Sequence, residues 1–545
     1  MSRSLLALSL AVPVSLAIVH GAPVGAQRPA IGLSAAHAQL WLETGTGPES
    51  PGQDDYFGFA LAVGDFNHDG YDDLAMGVPG NDWLPEIADV GSVQVRFGAP
   101  AGALGLLLPV LPWNNAVDPA EALDAYGRAL AAGDFDGDGY DDLAVGIPSN
   151  DYVVGSTVIS MGGVHLHYGL PNELGRLQPV AEYSFSQAPG GLLPGSPAAG
   201  ERFGEALAFG DFNGDGKDDL AIGIPGDAAN CPAGLCRAGA VMVVDQNAEG
   251  SAGGYLMRFG LEGLPGVPGA LDQFGGAVAT GDFNGDGFDD LAIGIPQVAQ
   301  VGAVLVVYGS PFSLIFVHHQ LFDQGAFGEL PETGDQFGTA LAAGDFNGDG
   351  FADLAMGAPF EDGAGPEKVD SGQVIVSYGT AGGLSTVAAP WLSEDGIWGS
   401  GSEINDQFGS ALAAGDFDGD GFDELVIGAA HESVSGTDGY GAVTVIRGRA
   451  AGLAGSATRW LWPGAFPIGM IPGETNVGSH YGSALVSGDF DGNGLADLAI
   501  GGPERSLFSS DTAASQAGSV AVLFGQLFID GFESHDALEW SAVAP

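Results

Sequence analysis

The chain has 545 residues, of which 45% are hydrophobic and 93 are glycine, and its 14 Lys and Arg face 69 Asp and Glu for a formal charge of −55. So acidic a surface repels polyanions, which excludes nucleic acid or an anionic membrane as the natural partner. The hydrophobic content excludes an acidic disordered chain, so much of the charge must have a local use.

The chain opens with Arg3 and the apolar run LLALSLAVPVSLAIV, followed by small residues suited to cleavage near Ala26 or at Ala36-His37-Ala38. That pattern reads as a signal peptide over 1–26. The run contains Pro13 and is short for a membrane span. Export to the medium or the cell surface is expected, with no membrane span left after cleavage. AQLWLETG (Ala38–Gly45) follows and reads as a strand. Cys231 and Cys236, the chain's two cysteines, lie in CPAGLC. Once exported they are expected to form a disulfide that closes a small loop and stabilises by about 2 kcal/mol. Two such ligands are too few for a metal.

From 37 to 525 the chain is repetitive. A cassette of the type DFNGDGFDDLAIGIP (Asp282–Pro296) opens at Asp65, Asp134, Asp211, Asp282, Asp345, Asp416 and Asp489, at separations of 63 to 77 residues. Such a period means one supersecondary unit used seven times rather than several unrelated domains. Before each cassette stands an aromatic-Gly pair: Phe57-Gly58, Tyr126-Gly127, Phe203-Gly204, Phe274-Gly275, Phe337-Gly338, Phe408-Gly409 and Tyr481-Gly482. Each cassette runs into G-x-P, as at Gly77-Val78-Pro79, except for Gly428-Ala429-Ala430 in the sixth. A segment of the type GAVLVVYG (Gly302–Gly309) comes next, then a weaker one such as ATRWLW.

These segments alternate with period two, which means strands. In FGEALAFGD (Phe203–Asp211), Gly204, Ala206, Ala208 and Gly210 fall on one face, small enough for sheets to meet at a crowded centre. Four strands per repeat and seven repeats predict an all-β, seven-bladed β-propeller. Outer strands between successive repeats number only six, so Ala38–Gly45 is expected to complete the seventh blade and close the ring.

The acids of the cassette fall at fixed places. Positions 1, 3, 5, 7 and 9 are Asp65, Asn67, Asp69, Tyr71 and Asp73 in the first copy and Asp134, Asp136, Asp138, Tyr140 and Asp142 in the second. They are Asp211, Asn213, Asp215, Lys217 and Asp219 in the third, then Asp282, Asn284, Asp286, Phe288 and Asp290 in the fourth. The fifth has Asp345, Asn347, Asp349, Phe351 and Asp353, and the sixth Asp416, Asp418, Asp420, Phe422 and Glu424. The seventh has Asp489, Asp491, Asn493, Leu495 and Asp497. The seven loops carry 3, 4, 3, 3, 3, 4 and 3 carboxylates at positions 1, 3, 5 and 9. So many acids in one turn repel one another unless a hard divalent cation with about six to eight oxygen ligands neutralises them. Position 6 is Gly in every copy, as a sharp turn around an ion requires. Calcium suits this flexible, all-oxygen donor set, with position 7 giving only its backbone carbonyl, and up to seven ions are expected. An EF-hand is excluded because position 12 is apolar throughout (Met76, Val145, Ile222, Ile293, Met356, Ile427, Ile500). Plain acidic β-turns would explain one copy, but seven at one ligand spacing argue for ions.

The aromatic-Gly, D-x-[ND]-x-[DN]-G-x-x-[DE] and G-x-P order resembles the FG-GAP repeat of the integrin α-subunit propeller, over about 37–525. The resemblance implies a seven-bladed propeller with calcium in the loop between the first two strands of a blade. It departs from integrin α in that all seven loops look competent for metal and no room remains for an inserted ligand-binding domain or leg domains.

In an antiparallel meander, the first-to-second and third-to-outer connections share one rim, and the other connections share the opposite one. Calcium would then reinforce a uniform rim. Variable segments such as GNDWLPEIADV, GDAANCPAGLCRA and HESVSGTDGYG emerge on the other, where binding is expected. Trp83 and Tyr440 in these segments are candidate contacts. No G-x-S-x-G, H-E-x-x-H or P-loop is present, and no catalytic residue is assigned. His165 and His167 share a strand face but lack a third ligand, and His318-His319 point to opposite faces. The expectation is a secreted, monomeric adhesion or ligand-binding module for an extracellular protein or glycan, without enzymatic activity. The alternative is a carbohydrate-active or phosphoester hydrolase on the same scaffold. Residues 526–545 form an acidic, aromatic tail beyond the last blade, read as a sorting extension or a frayed end.

Overall fold

A computed structural model describes residues 38–42, 55–82, 89–100, 107–110, 124–154, 157–170, 183–186, 193, 198–228, 237–246, 252–261, 263–314, 316–363, 368–387, 389–398, 402–433, 439–453, 459–461, 478–504 and 518–525. The expected signal peptide, Trp83, Cys231, Cys236 and the tail lie outside them.

The repeats become seven sheets of four antiparallel strands each, in simple meander order. The first strands are Leu61–Gly64, Ala129–Gly133, Leu207–Gly210, Ala277–Gly281, Leu341–Gly344, Phe408–Gly415 and Ala484–Gly488. Each packs beside the first strand of the next blade, and that of blade seven packs beside that of blade one. The protein is a seven-bladed β-propeller. Its seventh blade takes its outer strand from the other end of the chain. Ala38–Leu42 pairs with Ser519–Leu523 in a register running from Ala38 opposite Leu523 to Leu42 opposite Ser519.

The second strands, of the type DLAIGI (Asp219–Ile224), are buried at every position. Their two faces serve two different interfaces, because the apolar core lies between blades rather than within one. Phe212, Val241, Val243 and Met257 of blade three pack against Leu291, Ile293, Leu305 and Val307 of blade four. Across the closure, Phe57, Leu74 and Met76 of blade one meet Phe490, Ala499 and Val520 of blade seven.

The aromatic-Gly pair and the G-x-P glycine explain each other. A Cβ on Gly294 would stand 2.1 Å from the carbonyl oxygen of Gly338 in the next blade, and one on Gly501 would stand 2.2 Å from that of Gly58. Backbone passes against backbone there, so no side chain fits. The aromatic-Gly pair also corrects the expectation that it belongs to the first strand. Phe203 instead bridges to Gly162 of the preceding blade, and the strand proper starts at Leu207. In blade six Phe408 does join the strand, through an irregularity between Phe408 and Ala411.

Additions to the plain meander include a hairpin of Asp151–Val154 and Thr157–Ser160 inserted after the second strand of blade two, and a short helix, Glu394–Trp398, ahead of blade six. No helix among the described residues is long and apolar enough to cross a membrane.

Candidate metal centres

Each acidic loop is built by its own carboxylates. In loop four, Asp282 Oδ1 accepts the N–H groups of Gly285 (2.7 Å) and Asp286 (3.1 Å), and its Oδ2 accepts that of Gly287 (2.9 Å). Gly287 turns the chain at a φ of 88°. Position 5, Asp286, accepts from Phe288 N–H at 3.1 Å. Asp290, at position 9, heads the second strand. It takes the N–H of Phe283 on Oδ2 (2.9 Å) and that of Gly309, just past the third strand, on Oδ1 (2.8 Å). The same pair of bonds recurs at Asp73, Asp142, Asp353 and Asp497. The loop and the turn after the third strand therefore share a rim.

Positions 1, 3 and 9 converge. Carboxylate oxygens of Asp134, Asp136 and Asp142, of Asp416, Asp418 and Glu424, and of Asp489, Asp491 and Asp497 lie within 4.8 Å of one another in each set. These are the loops in which position 3 is Asp. In loops three and five, where it is Asn, the placement is alike, with Asn213 Nδ2 3.2 Å from Asp219 Oδ2 and Asn347 Nδ2 3.5 Å from Asp353 Oδ1. Position 5 stays at the exposed tip of every loop.

Burial, with the neighbouring carboxylates adding to it, lifts the position-9 acids far above their ordinary range: Asp73 and Glu424 to about 9, Asp142, Asp219, Asp290 and Asp497 to about 8, and Asp353 to about 7. The bonded N–H groups oppose this where present. Glu424 Oε1 is buried with no hydrogen-bond partner. An all-oxygen donor set under that electrostatic load fits a hard cation, which would favour the ionised form.

The two loops with four carboxylates each have a basic side chain at hand. Arg447 Nη2 stands 2.8 Å from Asp418 Oδ2 and 2.7 Å from Asp420 Oδ2. Lys217 Nζ, from loop three, donates to the carbonyl of Asp136 in loop two at 2.7 Å. The side chain of Lys217 thus serves a neighbour's loop.

Position 8 carries a role that the loop-by-loop reading missed. In all seven blades its N–H donates to the carbonyl of position 1 in the preceding blade, at 2.9 to 3.3 Å. In five blades its carboxylate returns the bond. Oδ2 of Asp141, Asp218, Asp289, Asp423 and Asp72 accepts the N–H of Asp65, Asp134, Asp211, Asp345 and Asp489 respectively, at 2.7 to 3.0 Å. The last of these bonds closes the ring between blade seven and blade one. The signal was the doubled acid at positions 8 and 9, broken only by Ala352 and Ala496.

The FG-GAP repeat model matches residues 57–95, 126–159, 203–244, 274–307, 337–377, 408–446 and 481–523, one match per blade. The chain belongs to the FG-GAP repeat family. This FG-GAP protein is 34% identical to integrin alpha pat-2 of Caenorhabditis briggsae over 42% of its own length and 18% of that protein's. It is 32% identical to integrin alpha-V of Gallus gallus over 44% of its length and 20% of that protein's. It is also 33% identical to a phosphatidylinositol-glycan-specific phospholipase D of Bos taurus, over 36% of its length and 24% of that protein's. The matched segments thus take up a quarter or less of these relatives.

The histidines of the FG-GAP propeller are placed without a metal cluster among the described residues. His167 Nε2 lies 2.6 Å from the Tyr126 hydroxyl, both groups buried, and His165 is buried on the same strand. His319 Nδ1 lies 2.8 Å from the Phe316 carbonyl. Tyr440 is half-buried, and its carbonyl accepts from Ser479 Oγ at 2.7 Å and from Tyr481 N–H at 3.2 Å.

Proposed function

We propose that this protein is an exported, calcium-stabilised binding module that holds an extracellular protein or glycan on the rim opposite its acidic loops. The observation that carries this reading is the division of labour between rims. One rim repeats the same carboxylate loop seven times and is tied blade to blade, and the other gathers connections that differ in length and sequence. Rigid scaffolds commonly present variable loops for recognition. In each loop calcium would be held by positions 1, 3, 5 and 9, with the carbonyl of position 7 completing the set. Residues 1–26 would direct export, and the mature chain would act as a monomer.

Similarity to integrin α-subunits supports the binding reading. Similarity to part of a phospholipase D supports the second reading, a carbohydrate-active or phosphoester hydrolase on the propeller. One experiment separates them: arrays of glycans and matrix proteins, with and without chelator, beside hydrolysis of chromogenic glycosides and phosphodiesters. Calcium-dependent capture without turnover is expected. Turnover that disappears when a rim carboxylate is replaced would reverse the ranking.

A further inference from the structure

Three more acids meet on the rim away from the loops. Glu394 opens the short helix ahead of blade six, Asp406 stands two residues before Phe408, and Glu432 follows the second strand Glu424–Ala429. The two connections touch through His431 N–H, which donates to the Asp406 carbonyl at 3.3 Å. Carboxylate oxygens of the three lie within 4.8 Å of one another. Glu394 is 2% exposed, Asp406 0% and Glu432 5%. One oxygen on each, Glu394 Oε2, Asp406 Oδ1 and Glu432 Oε2, is buried with no hydrogen-bond partner. The leading charges on them are each other and Glu403, all acids. Lys368, on that side, is paired with Asp395 instead. The adjoining stretches 399–401 and 434–438 contain no Lys or Arg. Asp406 Oδ2 accepts the Glu403 N–H, but one buried oxygen on each of the three acids stays unmatched, which is costly unless something positive lies among them.

Sister blades show what fills the slot elsewhere. In blade five, Asp335 and Glu361 occupy the places of Asp406 and Glu432. Gln324, which follows the previous outer strand as Glu394 does, donates from Nε2 to Glu361 Oε2 at 2.5 Å. In blade three the pair is Glu201 and Asp227, and Arg258 Nε lies 2.7 Å from Asp227 Oδ2. An amide serves one pair and a guanidinium the other, whereas blade six adds a third acid. We propose that Glu394, Asp406 and Glu432 bind one divalent cation, with calcium the best match to an oxygen-only site, on the rim opposite the acidic loops. This site is independent of ions in those loops.

The test uses the full chain, stripped with EGTA and dialysed against calcium chloride, with calcium per chain counted by inductively coupled plasma mass spectrometry. Glu394→Gln and Glu432→Gln are each expected to hold one calcium fewer than the parent. Asp290→Asn, in loop four, serves as an independent control and should also lose one. Parent-level calcium in both glutamine variants overturns the proposal, whatever Asp290→Asn does. An unchanged count in Asp290→Asn beside a loss in both glutamine variants supports the proposal and sinks the loop reading instead. Glu394→Gln installs the amide that blade five already uses, so in EGTA it should melt at or above the parent. A lower melting point there would contradict the repulsion from which the site is inferred.

Discussion

Asp290 shows how one side chain can hold a loop together and also be placed to meet an ion. Its oxygens hold two backbone N–H groups from different strands, and burial with nearby acids makes its ionised form costly unless a cation shares the loop. Asp290→Asn keeps one acceptor but turns an N–H₂ toward the other donor, a loss of about 1–3 kcal/mol. Urea unfolding should show the full loss in calcium and a smaller one in chelator, where the neutral amide also removes repulsion. Glu201 gives a cleaner pH test, since it lies on the opposite rim. Burial, and then Asp227, lift it from 4.5 to about 7. Folded protein therefore binds more protons there than unfolded protein, and this contribution to stability is present below 4.5 and lost as pH rises toward 7. Melting curves in calcium between pH 5 and 8 (a range of about three units spanning that shift) should fall less steeply for Glu201→Gln than for the parent. The convergence of positions 1, 3 and 9 was legible because acids recurred at one spacing inside a short loop. Asp72 and its equivalents were not, because each one's partner lies in another repeat, in one case 417 residues away.

Strands and their junctions were legible for a related reason. Period-two alternation with one small face, as in FGEALAFGD, fixes both the strand and the side that meets a neighbour. What the pattern hid was that the aromatic-Gly pair leaves its own strand to lie against the preceding blade, a contact between backbones that no side-chain pattern encodes. Gly294→Ala tests that contact. Its Cβ would stand 2.1 Å from the Gly338 carbonyl, so blades four and five must separate, at a cost of about 1–3 kcal/mol. The melting temperature should fall, and alanine tolerated without a change would mean that the blades do not meet there. The hairpin Asp151–Val154 with Thr157–Ser160 was equally hidden, since it occurs in one blade and belongs to no repeat.

At the scale of the whole molecule, seven similar units are useful only if the first and last meet. They do so through a strand pairing at 38–42 with 519–523, an apolar cluster shared by blades one and seven, and the bond from Asp489 N–H to Asp72 Oδ2. The outer strand could be found in the sequence by counting strands, because a ring with six outer strands leaves one edge unpaired. Removing residues 38–42 should expose Ser519–Leu523 and drive self-association, which light scattering would register. The acidic rim bears on the same question of closure, because its loops join every blade to the next and carry most of the repulsion. Differential scanning calorimetry of the full chain, with millimolar calcium and then with EGTA, puts this to the most direct test. Ions that neutralise the loops should raise the melting temperature by well over ten degrees relative to the chelated protein, in the manner of a ligand that binds only the folded state (about 3–4 kcal/mol for each site filled at a hundred to a thousand times its dissociation constant). Superimposable transitions in calcium and in EGTA would contradict it.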